Sequence, residues 1–375
     1  MITKKQSKTQ TTHKTIHKSK KQSTNTVIKH IYIKNDEGFG SKVFDLIFAI
    51  YLYNLYNKQN NRCIIHYILD KSIHEKVNDP LLYNIFPKAK LKIKFISLKE
   101  YETINKKHKM THIERKDKLI ESLDNFPHYE DLSNYTKINT NLKLIYKMYE
   151  TFTKQDKDSF TMNPKILTDK PTLDKITSQP YSIVHIRYGD KLYYLSKNIN
   201  KTDIDITTLL QKEKENKNNP NPIDQFILYT PDYYIDKINE LLEKTPASMN
   251  IYIITDSANI VKQFIMRNST YSFITNPRIV LLDKMAWWDS FYLFYYASNI
   301  ILSASTFCFS GAYFNKKKPK CELLLYHHDD SSPTISPEEY AISPYWKITK
   351  DRKYILNYNP KIAYEIIKFK YNWKY

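Results

Sequence analysis

The stretch H-I-R-Y-G-D (185–190) places anion-binding side chains directly after an apolar run that is typical of a buried strand. Arg187 stands out because the chain has six arginines against 52 lysines. A guanidinium group holds two oxygens at once in a planar fork, which a lysine ammonium does not do. An arginine at the end of a strand therefore favours phosphate binding. A surface salt bridge with Asp190 is the alternative interpretation.

Glycine is scarce and unevenly placed. Average usage of about 7% would give roughly 26 glycines in this chain, but it has four: Gly38, Gly40, Gly189 and Gly311. Each lies at a predicted strand-to-helix junction or just inside the helix that follows. Glycine there allows positive φ, or lets the phosphates of a ligand approach the backbone. Ordinary turn chemistry explains any one of them, but their concentration in three junctions favours a ligand site.

The third junction is S-A-S-T-F-C-F-S-G-A-Y-F (303–314). Ser305 and Thr306 can cap the following helix and also offer hydroxyl groups. Backbone N–H groups at the start of a helix, here around Phe307, bind anions. A helix cap without any ligand is the alternative interpretation.

Two carboxylates, Asp36 and Glu37, stand beside the first glycine turn. A carboxylate in this position can act as a general base towards a substrate hydroxyl. A solvated loop carboxylate is the simpler interpretation for either residue.

Strand and helix patterns alternate along the chain and must position these groups. The apolar runs that predict strands are 27–34, 62–69, 91–96, 181–187, 249–256, 278–283, 299–303 and 321–326. Helical patterns separate them, with starts expected at Ser41, at Thr230-Pro231-Asp232, at Asp289 and at Ser305. This alternation predicts an α/β fold with two Rossmann-like, doubly wound parallel-sheet domains that face a cleft.

Composition and sequence pattern predict four regions. Residues 1–27 are expected to form a disordered basic tail. Residues 1–30 carry eight lysines and no acidic residue, and so contribute about +8 to the net charge of +19. The first domain covers 28–165 and the second 178–335, with a polar connection at 161–180. Residues 336–375 are expected to pack back on the domains.

The charge and the cysteines bear on location and partners. The tail would associate loosely with nucleic acid or anionic surfaces, or simply improve solubility. Three unpatterned cysteines (Cys63, Cys308 and Cys321) in apolar segments predict buried thiols in a reducing compartment. The N-terminus lacks a hydrophobic stretch, and the longest apolar run, 43–53, is interrupted by Asp45. We expect a soluble cytoplasmic protein without a membrane span.

Four segments together resemble the α1,2-, α1,6- and protein O-fucosyltransferase superfamily, and most closely its α1,2-fucosyltransferase branch (glycosyltransferase family 11-like). The segments are H-I-R-Y-G-D (185–190), similar to an H-x-R-R-x-D motif; I-I-T-D-S-A-N-I-V-K (253–262); the stretch 289–312, where an Asp-headed helix and a strand lead into S-T-F; and G-F-G-S-K-V-F-D (38–45), similar to a G-x-G-N-Q-x-F turn. They occur in the order of the family and span residues 31 to 326.

The resemblance implies a GT-B fold with GDP-fucose as donor in the second domain and the acceptor on the side of the first. Arg187 would contact the β-phosphate, His185 and Asp289 would hold the guanosine, Asp256 would support the nucleotide, and the segment Ser305–Phe307 would close the diphosphate site. The other matched positions implied to bind the donor are Gly38, Gly40, Gly189 and Asp190.

The expected reaction is transfer of fucose from GDP-fucose to a hydroxyl of a glycan or glycoprotein, with inversion. Arg187 and backbone N–H groups at Gly189 and around Ser305–Phe307 would stabilise the departing diphosphate. Asp36 or Glu37 would take the proton of the acceptor hydroxyl. The expected scheme uses no metal and no cofactor beyond the donor.

The chain departs from the family pattern at three places. Tyr188 stands where the family has a second arginine, Ser41-Lys42 replaces Asn-Gln, and 308–310 replaces a Trp-rich continuation. Lys42 or Lys191 would then supply the missing charge. The alternatives left open are another nucleotide sugar and an inactive glycan- or nucleotide-binding protein. A specific nucleic-acid binder is disfavoured, since the charge concentrates in the tail.

Two other clusters contain metal-ligating side chain types. Asp203-Ile204-Asp205 resembles the D-x-D of metal-dependent transferases but does not end an apolar strand. The run 327–330 (H-H-D-D) follows a predicted strand, where neighbouring side chains point in opposite directions. We expect neither cluster to bind a metal.

Overall fold

The computed structural model describes the parts of the chain that form both predicted sheets. The described residues are 28–34, 38–58, 63–69, 79–108, 111–112, 129–131, 145, 148–188, 229–267, 273–317, 319–324, 346–349, 351 and 354. The basic tail, the polar stretch 193–222 and both metal-like clusters lie outside these residues.

The first sheet is parallel and, within the described residues, has five strands in the order β3-β2-β1-β5-β4. Its strands are β1 (Lys29–Lys34), β2 (Cys63–Leu69), β3 (Ile93–Ser97), β4 (Thr111–His112) and β5 (Tyr129–Asp131). The chain runs outward from β1 to β3 and then returns to the other side of β1. The strand order therefore reverses beside β1, whose end precedes Gly38.

The second sheet is also parallel, and the described part of it has six strands in the order β11-β10-β9-β6-β7-β8. Its strands are β6 (Tyr181–Ile186), β7 (Asn250–Thr255), β8 (Ile279–Leu281), β9 (Asn299–Ile301), β10 (Lys320–Leu324) and β11 (Trp346–Thr349). All six residues of β6 are buried, as expected of a central parallel strand that is covered on both faces. The order reverses between β6 and β9.

Helices connect the strands. The α-helices of the described residues are α1 (Phe39–Lys58), α2 (Leu82–Ile85), α3 (Leu98–His108), α4 (Lys154–Asp158), α5 (Lys170–Thr177), α6 (Pro231–Lys244), α7 (Ala258–Val261), α8 (Trp287–Phe294) and α9 (Thr306–Tyr313). A π-helical segment, Lys262–Met266, continues α7. Short 3₁₀ segments are Pro87–Leu91, Pro164–Ile166 and Phe273–Thr275.

Helix α1 is the centre of the largest hydrophobic core. The residues from Phe39 to Ile50 are all buried, and this core also includes side chains of α8 and α9 from the second half of the chain. A helix that is apolar on nearly every side has to be covered on every side. The two halves are therefore packed together around α1.

Smaller cores cover the opposite face of each sheet. Tyr32, Ile68 and Ile96 of the first sheet pack with Tyr101 of α3. On the second sheet, strand residues such as Val184 pack with α6 and with the helical segment 258–266. Helices thus lie on both faces of both sheets. The expected fold class, two Rossmann-like doubly wound parallel-sheet domains, is confirmed.

Several local expectations are confirmed and others need correction. Helix α6 has the expected start: the Thr230 side chain accepts a hydrogen bond from the amide of Tyr233, and Pro231 occupies the first turn. Helix α1, however, begins at Phe39 and not at Ser41, because the Gly38 carbonyl already accepts the first hydrogen bonds of the helix. The polar connection 161–180 contains helix α5, whose N-terminus is capped by Asp169.

Two further expectations concern the burial of the cysteines and the absence of a membrane-spanning helix. Cys63, Cys308 and Cys321 are buried free thiols, as expected. Across the described part of the chain, no helix is both long enough and apolar enough to span a membrane.

Candidate functional site

The predicted site residues gather where the strand order of the second sheet reverses. Strands β6 and β9 pair from Ser182↔Asn299 to Val184↔Ile301. His185 is the next-to-last residue of β6 and Arg187 follows the strand, while Ser303 and Ser305 follow β9, so the two chain segments leave the sheet side by side. In open α/β sheets, ligands bind at this kind of switch point, outside the carboxyl ends of the strands.

His185 is packed against the start of helix α9. Its Nδ1 is hydrogen-bonded to Oγ of Ser303 at 2.6 Å, and the imidazole is buried. Its ring centroid lies 5.7 Å from that of Phe307 and 5.9 Å from that of Phe294. This packing fixes the ring orientation. Ser303 was not predicted, although it lies two residues after the end of β9, where side chains that contact ligands are expected in a parallel sheet.

Arg187 lies at the carboxyl end of β6 and contacts both neighbouring strand ends. Its Nη1 donates a hydrogen bond to Oγ of Ser305 at 3.4 Å, and its Nε lies 3.8 Å from Oδ2 of Asp256. Asp256 also accepts a hydrogen bond from the backbone amide of Tyr188 at 3.0 Å. Because this ion pair is partly exposed, it adds little stability. Asp256 thus lies against Arg187 at an ion-pair distance.

The start of helix α9 differs from the sequence expectation. Ser305 has the extended backbone of an N-cap residue, but its side chain makes no capping hydrogen bond; the hydroxyl accepts from Arg187 instead. Its own amide donates to the carbonyl of Ser303 at 2.8 Å. The partial positive charge of the helix start and the guanidinium charge therefore lie together. This pairing favours an anion.

Helix α1 reaches the same place from the first half of the chain. Gly40 is so close to α9 that a Cβ at this position would lie 2.3 Å from the amide nitrogen of Phe307 and 2.3 Å from the carbonyl carbon of Thr306. The Ser41 and Thr306 hydroxyl oxygens are 3.4 Å apart. The starts of two helices, one from each half, thus meet beside Arg187. The group that approaches Gly40 is protein backbone; the approach of a ligand's phosphates to this glycine stays a prediction.

Asp289 is placed differently from what the resemblance implies. Its carboxylate is 1% exposed and accepts hydrogen bonds from the backbone amides of Thr168 (3.0 Å) and Asp169 (3.3 Å) in the connecting segment. Burial raises the pKa of Asp289, and these amide hydrogen bonds oppose that rise. The Asp289 carboxylate therefore joins α8 to the segment that connects the two sheets by hydrogen bonds.

Tyr188 points away from Arg187 into the core. The side chain is completely buried, its hydroxyl donates a hydrogen bond to the carbonyl of Tyr229 at 2.9 Å, and its ring packs edge-on against Tyr234. Burial, followed by the nearby Asp232, raises the pKa of Tyr188 well above its ordinary value. The position of the family's second arginine therefore contributes no charge here.

Four predicted site residues lie outside the described residues: Asp36, Glu37, Gly189 and Asp190. Of the described ones, His185, Arg187, Asp256, Ser305, Thr306, Phe307 and Gly40 are linked by the contacts above. Gly38 adjoins them at the start of α1, where a Cβ would meet no atom within 4 Å. In the part of the chain that the structure describes, no group of three or more His, Cys, Asp or Glu side chains could hold a metal ion.

Comparisons with known proteins give structural likenesses only. No family model and no curated protein matches this sequence. A crystal structure of POFUT1 in complex with GDP is similar at 12% identity and a TM-score of 0.38, covering 78% of this chain and 97% of that chain. Fucosyltransferase NodZ from Bradyrhizobium is similar at 11% identity and a TM-score of 0.40, covering 76% and 92%.

A third likeness is to the UDP-GlcNAc 2-epimerase of Methanocaldococcus jannaschii in complex with UDP-GlcNAc and UDP. It has 11% identity and a TM-score of 0.36, and covers 92% of this chain and 93% of that chain. At these identities and TM-scores, the likenesses do not indicate the function of this chain. None of these three is described as an α1,2-fucosyltransferase, so that branch of the superfamily stays a prediction.

Proposed function

We propose that this chain is a glycosyltransferase that binds a nucleoside diphosphate sugar at the switch point of its second sheet. The observation that carries the proposal is the placement of the Arg187 guanidinium beside the Ser305 hydroxyl, at the start of helix α9 and between the carboxyl ends of β6 and β9. Guanidinium groups and helix starts both favour phosphate oxygens. Their combination suits a diphosphate.

Transfer of a sugar from such a donor requires stabilisation of the departing diphosphate. In the proposed reaction, Arg187 and the start of α9 supply positive charge that is already in position, so no protein reorganisation is needed as negative charge develops. The acceptor hydroxyl attacks from the side of the first sheet, and the sugar carbon is inverted. Asp36 or Glu37 takes the proton of the acceptor. No metal takes part in this scheme.

GDP-fucose is the donor that we propose, on the basis of the four segments that resemble the fucosyltransferase superfamily. His185, which packs against Phe307 of α9, would then contact the nucleoside. Asp289 is left out of the proposed nucleotide contacts, because backbone amides already occupy its carboxylate. Lys42, which follows Gly40 and Ser41 in the first turn of α1, is the proposed second cation near the site.

A binding protein without transferase activity is the second candidate. The observation that favours it is the burial of Tyr188, since the position that would add a second guanidinium is part of the core. One fewer cation would weaken stabilisation of the leaving group more than it would weaken binding of the whole nucleotide sugar.

A donor panel tests the proposal. The purified protein is titrated with GDP-fucose, GDP-mannose, UDP-glucose and UDP-GlcNAc, and the thermal midpoint and the release of free nucleoside diphosphate are both measured. We expect stabilisation by GDP-fucose, slow hydrolysis of GDP-fucose by water to GDP and fucose when no glycan acceptor is present, and loss of both effects in Arg187→Ala. Arg267→Ala is the matched control, because Arg267 is an exposed arginine of the same half.

The outcomes separate the candidates. Stabilisation without GDP release, even with a mixture of glycan acceptors, would support the binding protein. Stabilisation by UDP-sugars alone would overturn the choice of donor. Absence of any response to all four donors would overturn the proposed site.

A further inference from the structure

The apolar residue Leu91 is exposed to solvent within a run of lysines. It is 76% exposed, more than any other large apolar residue in the described part of the chain. It ends the 3₁₀ segment Pro87–Leu91, and the surrounding stretch P-K-A-K-L-K-I-K (87–94) has four lysines and no acidic residue. A single exposed apolar residue is ordinary on a protein surface, but this one is held in place by the core and has positive charge around it.

The backbone on both sides of Leu91 is anchored in the protein interior. Ala89 is completely buried and belongs to the core around α1, and Ile93 of β3 is 2% exposed. The amide of Lys92 donates a hydrogen bond to the carbonyl of Ala89 at 3.0 Å, which closes the turn at Leu91. In a 3₁₀ helix, residues three apart lie on the same side. An ordered turn therefore presents Leu91 to solvent together with Lys88.

Helix α4 adds lysines next to this turn. Nζ of Lys92 forms a salt bridge with the carboxylate of Asp156, which is buried. Because α4 is buried through Asp156, Lys154 of the same helix stays exposed and Lys157 is partly exposed. The ion pair thus holds the outer side of α4 beside the turn that carries Leu91.

The 3₁₀ segment Pro164–Ile166 adjoins the same turn. The amide of Asn163 donates a hydrogen bond to the carbonyl of Ile85 at 2.9 Å, and Ile85 lies two residues before the start of the turn. Lys165 in this segment is exposed. The surface that these three segments form together is called the basic face here, and its residues are Lys88, Lys90, Leu91, Lys154, Lys157 and Lys165.

Most of the positive charge of the basic face has no carboxylate beside it. Among the described residues, no carboxylate lies within 4 Å of four of its five ammonium groups, those of Lys88, Lys90, Lys154 and Lys165. The fifth lysine, Lys157, has Nζ 3.9 Å from Oε1 of Glu150. Like charges that are gathered on one surface raise the local positive potential and attract a polyanion.

The exposed leucine distinguishes between polyanionic partners. Nucleic acid presents phosphates to lysines, but an apolar side chain gains contacts there only by wedging between base steps. A bilayer with anionic lipids presents negative headgroups at its surface and hydrocarbon directly beneath them. An apolar side chain fixed among lysines therefore matches a bilayer in both charge and polarity.

We propose that the basic face docks this protein on a bilayer that contains anionic lipids. The lysines lie on the headgroups, and Leu91 inserts between them. This contact is peripheral: the apolar part that enters the bilayer is one side chain at the end of a turn. The basic face shares no residue with the proposed donor site, so the inference stands or falls independently of the proposed function.

Binding to vesicles tests the proposal with the full-length protein. The vesicles consist of phosphatidylcholine alone or of an equimolar mixture of phosphatidylcholine and phosphatidylserine, and bound protein is measured by co-sedimentation at physiological ionic strength. One variant, Lys88→Gln/Lys90→Gln, removes two charges from the turn. The other, Leu91→Ser, removes the apolar side chain and leaves every charge in place.

The matched controls lie in the second half of the chain. Lys316→Gln/Lys317→Gln also removes two exposed and closely spaced lysines, and Lys316 lies over the ring of Tyr296 as Lys90 lies over that of Tyr83. Ile274→Ser is the control for Leu91→Ser. The basic tail is present in all these proteins, so its own attraction to the vesicles is the same in each comparison.

A fluorophore that responds to polarity shows which surface meets the bilayer. It is attached to the new thiol of Leu91→Cys or, as the control, of Ile274→Cys; Ile274 is a 49% exposed apolar residue of the second half. The native cysteines, Cys63, Cys308 and Cys321, are buried, so labelling is selective.

We expect the wild type to bind the mixed vesicles at least about tenfold more tightly than phosphatidylcholine vesicles. Lys88→Gln/Lys90→Gln should weaken binding to the mixed vesicles roughly 25-fold, since each lysine near an anionic surface contributes a factor of about five. Leu91→Ser should weaken it roughly tenfold. Both controls should bind like the wild type, and the fluorophore should report an apolar environment at position 91 and not at position 274.

Three results would overturn the inference. The first is equal or absent binding of the wild type to both kinds of vesicle. The second is binding to the mixed vesicles that survives in Lys88→Gln/Lys90→Gln without any response of the fluorophore at position 91, because the protein would then be held by its tail or by another surface. The third is loss of binding to a short duplex DNA in Lys88→Gln/Lys90→Gln while its binding to vesicles is unchanged, which would make the basic face a nucleic-acid surface.

Discussion

Gly40 and Phe307 bring the two halves of the molecule into backbone contact at the candidate site. A Cβ at position 40 would lie 2.3 Å from the Phe307 amide nitrogen, a distance that real Cβ atoms essentially never show. The glycine is therefore required by the close approach of two helix starts. The glycine two residues earlier, Gly38, has open space in the same direction.

Gly40→Ala should push helices α1 and α9 apart. Overpacking against backbone costs about 1–3 kcal/mol, and the displacement should also weaken GDP binding because Thr306 and Phe307 move. Gly38→Ala is the matched control for packing, because its methyl group would meet no atom within 4 Å, and it should change the free energy of unfolding much less. Urea denaturation and GDP titration of both variants test this. Equal behaviour of the two variants would mean that the contact at Gly40 is not tight in solution.

Asp256 should matter through the orientation of Arg187. Asp256→Ala removes the acceptor for the Tyr188 amide and the carboxylate near Arg187, so we expect roughly fivefold weaker GDP binding, the size of one ordinary hydrogen bond. Asp283→Ala removes a carboxylate that pairs with Lys262 in the same half and should leave GDP binding unchanged. An unchanged GDP affinity in Asp256→Ala would mean that Arg187 binds GDP without the help of the Asp256 carboxylate.

Asp289 should be a stability residue. Asp289→Ala leaves the Thr168 and Asp169 amides without their acceptor, which should lower the free energy of unfolding by about 1–3 kcal/mol; Asp289→Asn, which keeps an acceptor oxygen, should lower it less. GDP affinity of the folded variants should match wild type. Loss of GDP binding in Asp289→Asn at an unchanged denaturation midpoint would restore the guanosine contact that the family resemblance implies.

His66 should make the protein less stable in acid. Its ring is 3% exposed, stacks on Tyr32 at 4.4 Å, and has Nε2 2.9 Å from Nδ1 of His30. Burial, followed by the charges of His30 and Lys94, lowers the pKa of His66 from 6.5 to about 3.

The sign of the effect follows from where protons bind. Between about pH 6.5 and pH 3, the unfolded chain protonates this histidine and the folded chain does not, so the free energy of unfolding falls as the pH falls. At pH 5 the loss should be about 2 kcal/mol. His66→Phe, which keeps the ring stack, should flatten denaturation midpoints measured from pH 7.5 to pH 5. An unchanged slope would assign the acid sensitivity to another group.

The fold could be predicted largely from the sequence, because buried parallel strands such as β6 are continuous apolar runs and because helix starts such as Thr230-Pro231 have local chemistry. The strand order could not be predicted, and with it the pairing of β6 with β9 that brings Arg187 to Ser305. The family resemblance implied only that Arg187, Ser305 and Thr306 belong to one diphosphate site.

Other parts of the site depend on contacts between residues far apart in the chain. Ser303 meets His185 across 118 positions, and the Asp289 carboxylate meets a backbone segment about 120 positions away. Backbone amides leave no sequence signal, so nothing in the stretch 161–180 indicated that it would occupy Asp289. The direction of the Tyr188 side chain likewise depends on the core formed by α6.

The central claim is that Arg187 holds a diphosphate at the switch point between β6 and β9. Calorimetric titration of GDP and of GMP against wild type, Arg187→Ala and Arg267→Ala tests it most directly. We expect wild type and Arg267→Ala to prefer GDP over GMP by roughly 10- to 100-fold, the range for hydrogen bonds to charged groups, and Arg187→Ala to bind both nucleotides about equally. An undiminished preference for GDP in Arg187→Ala would contradict the claim.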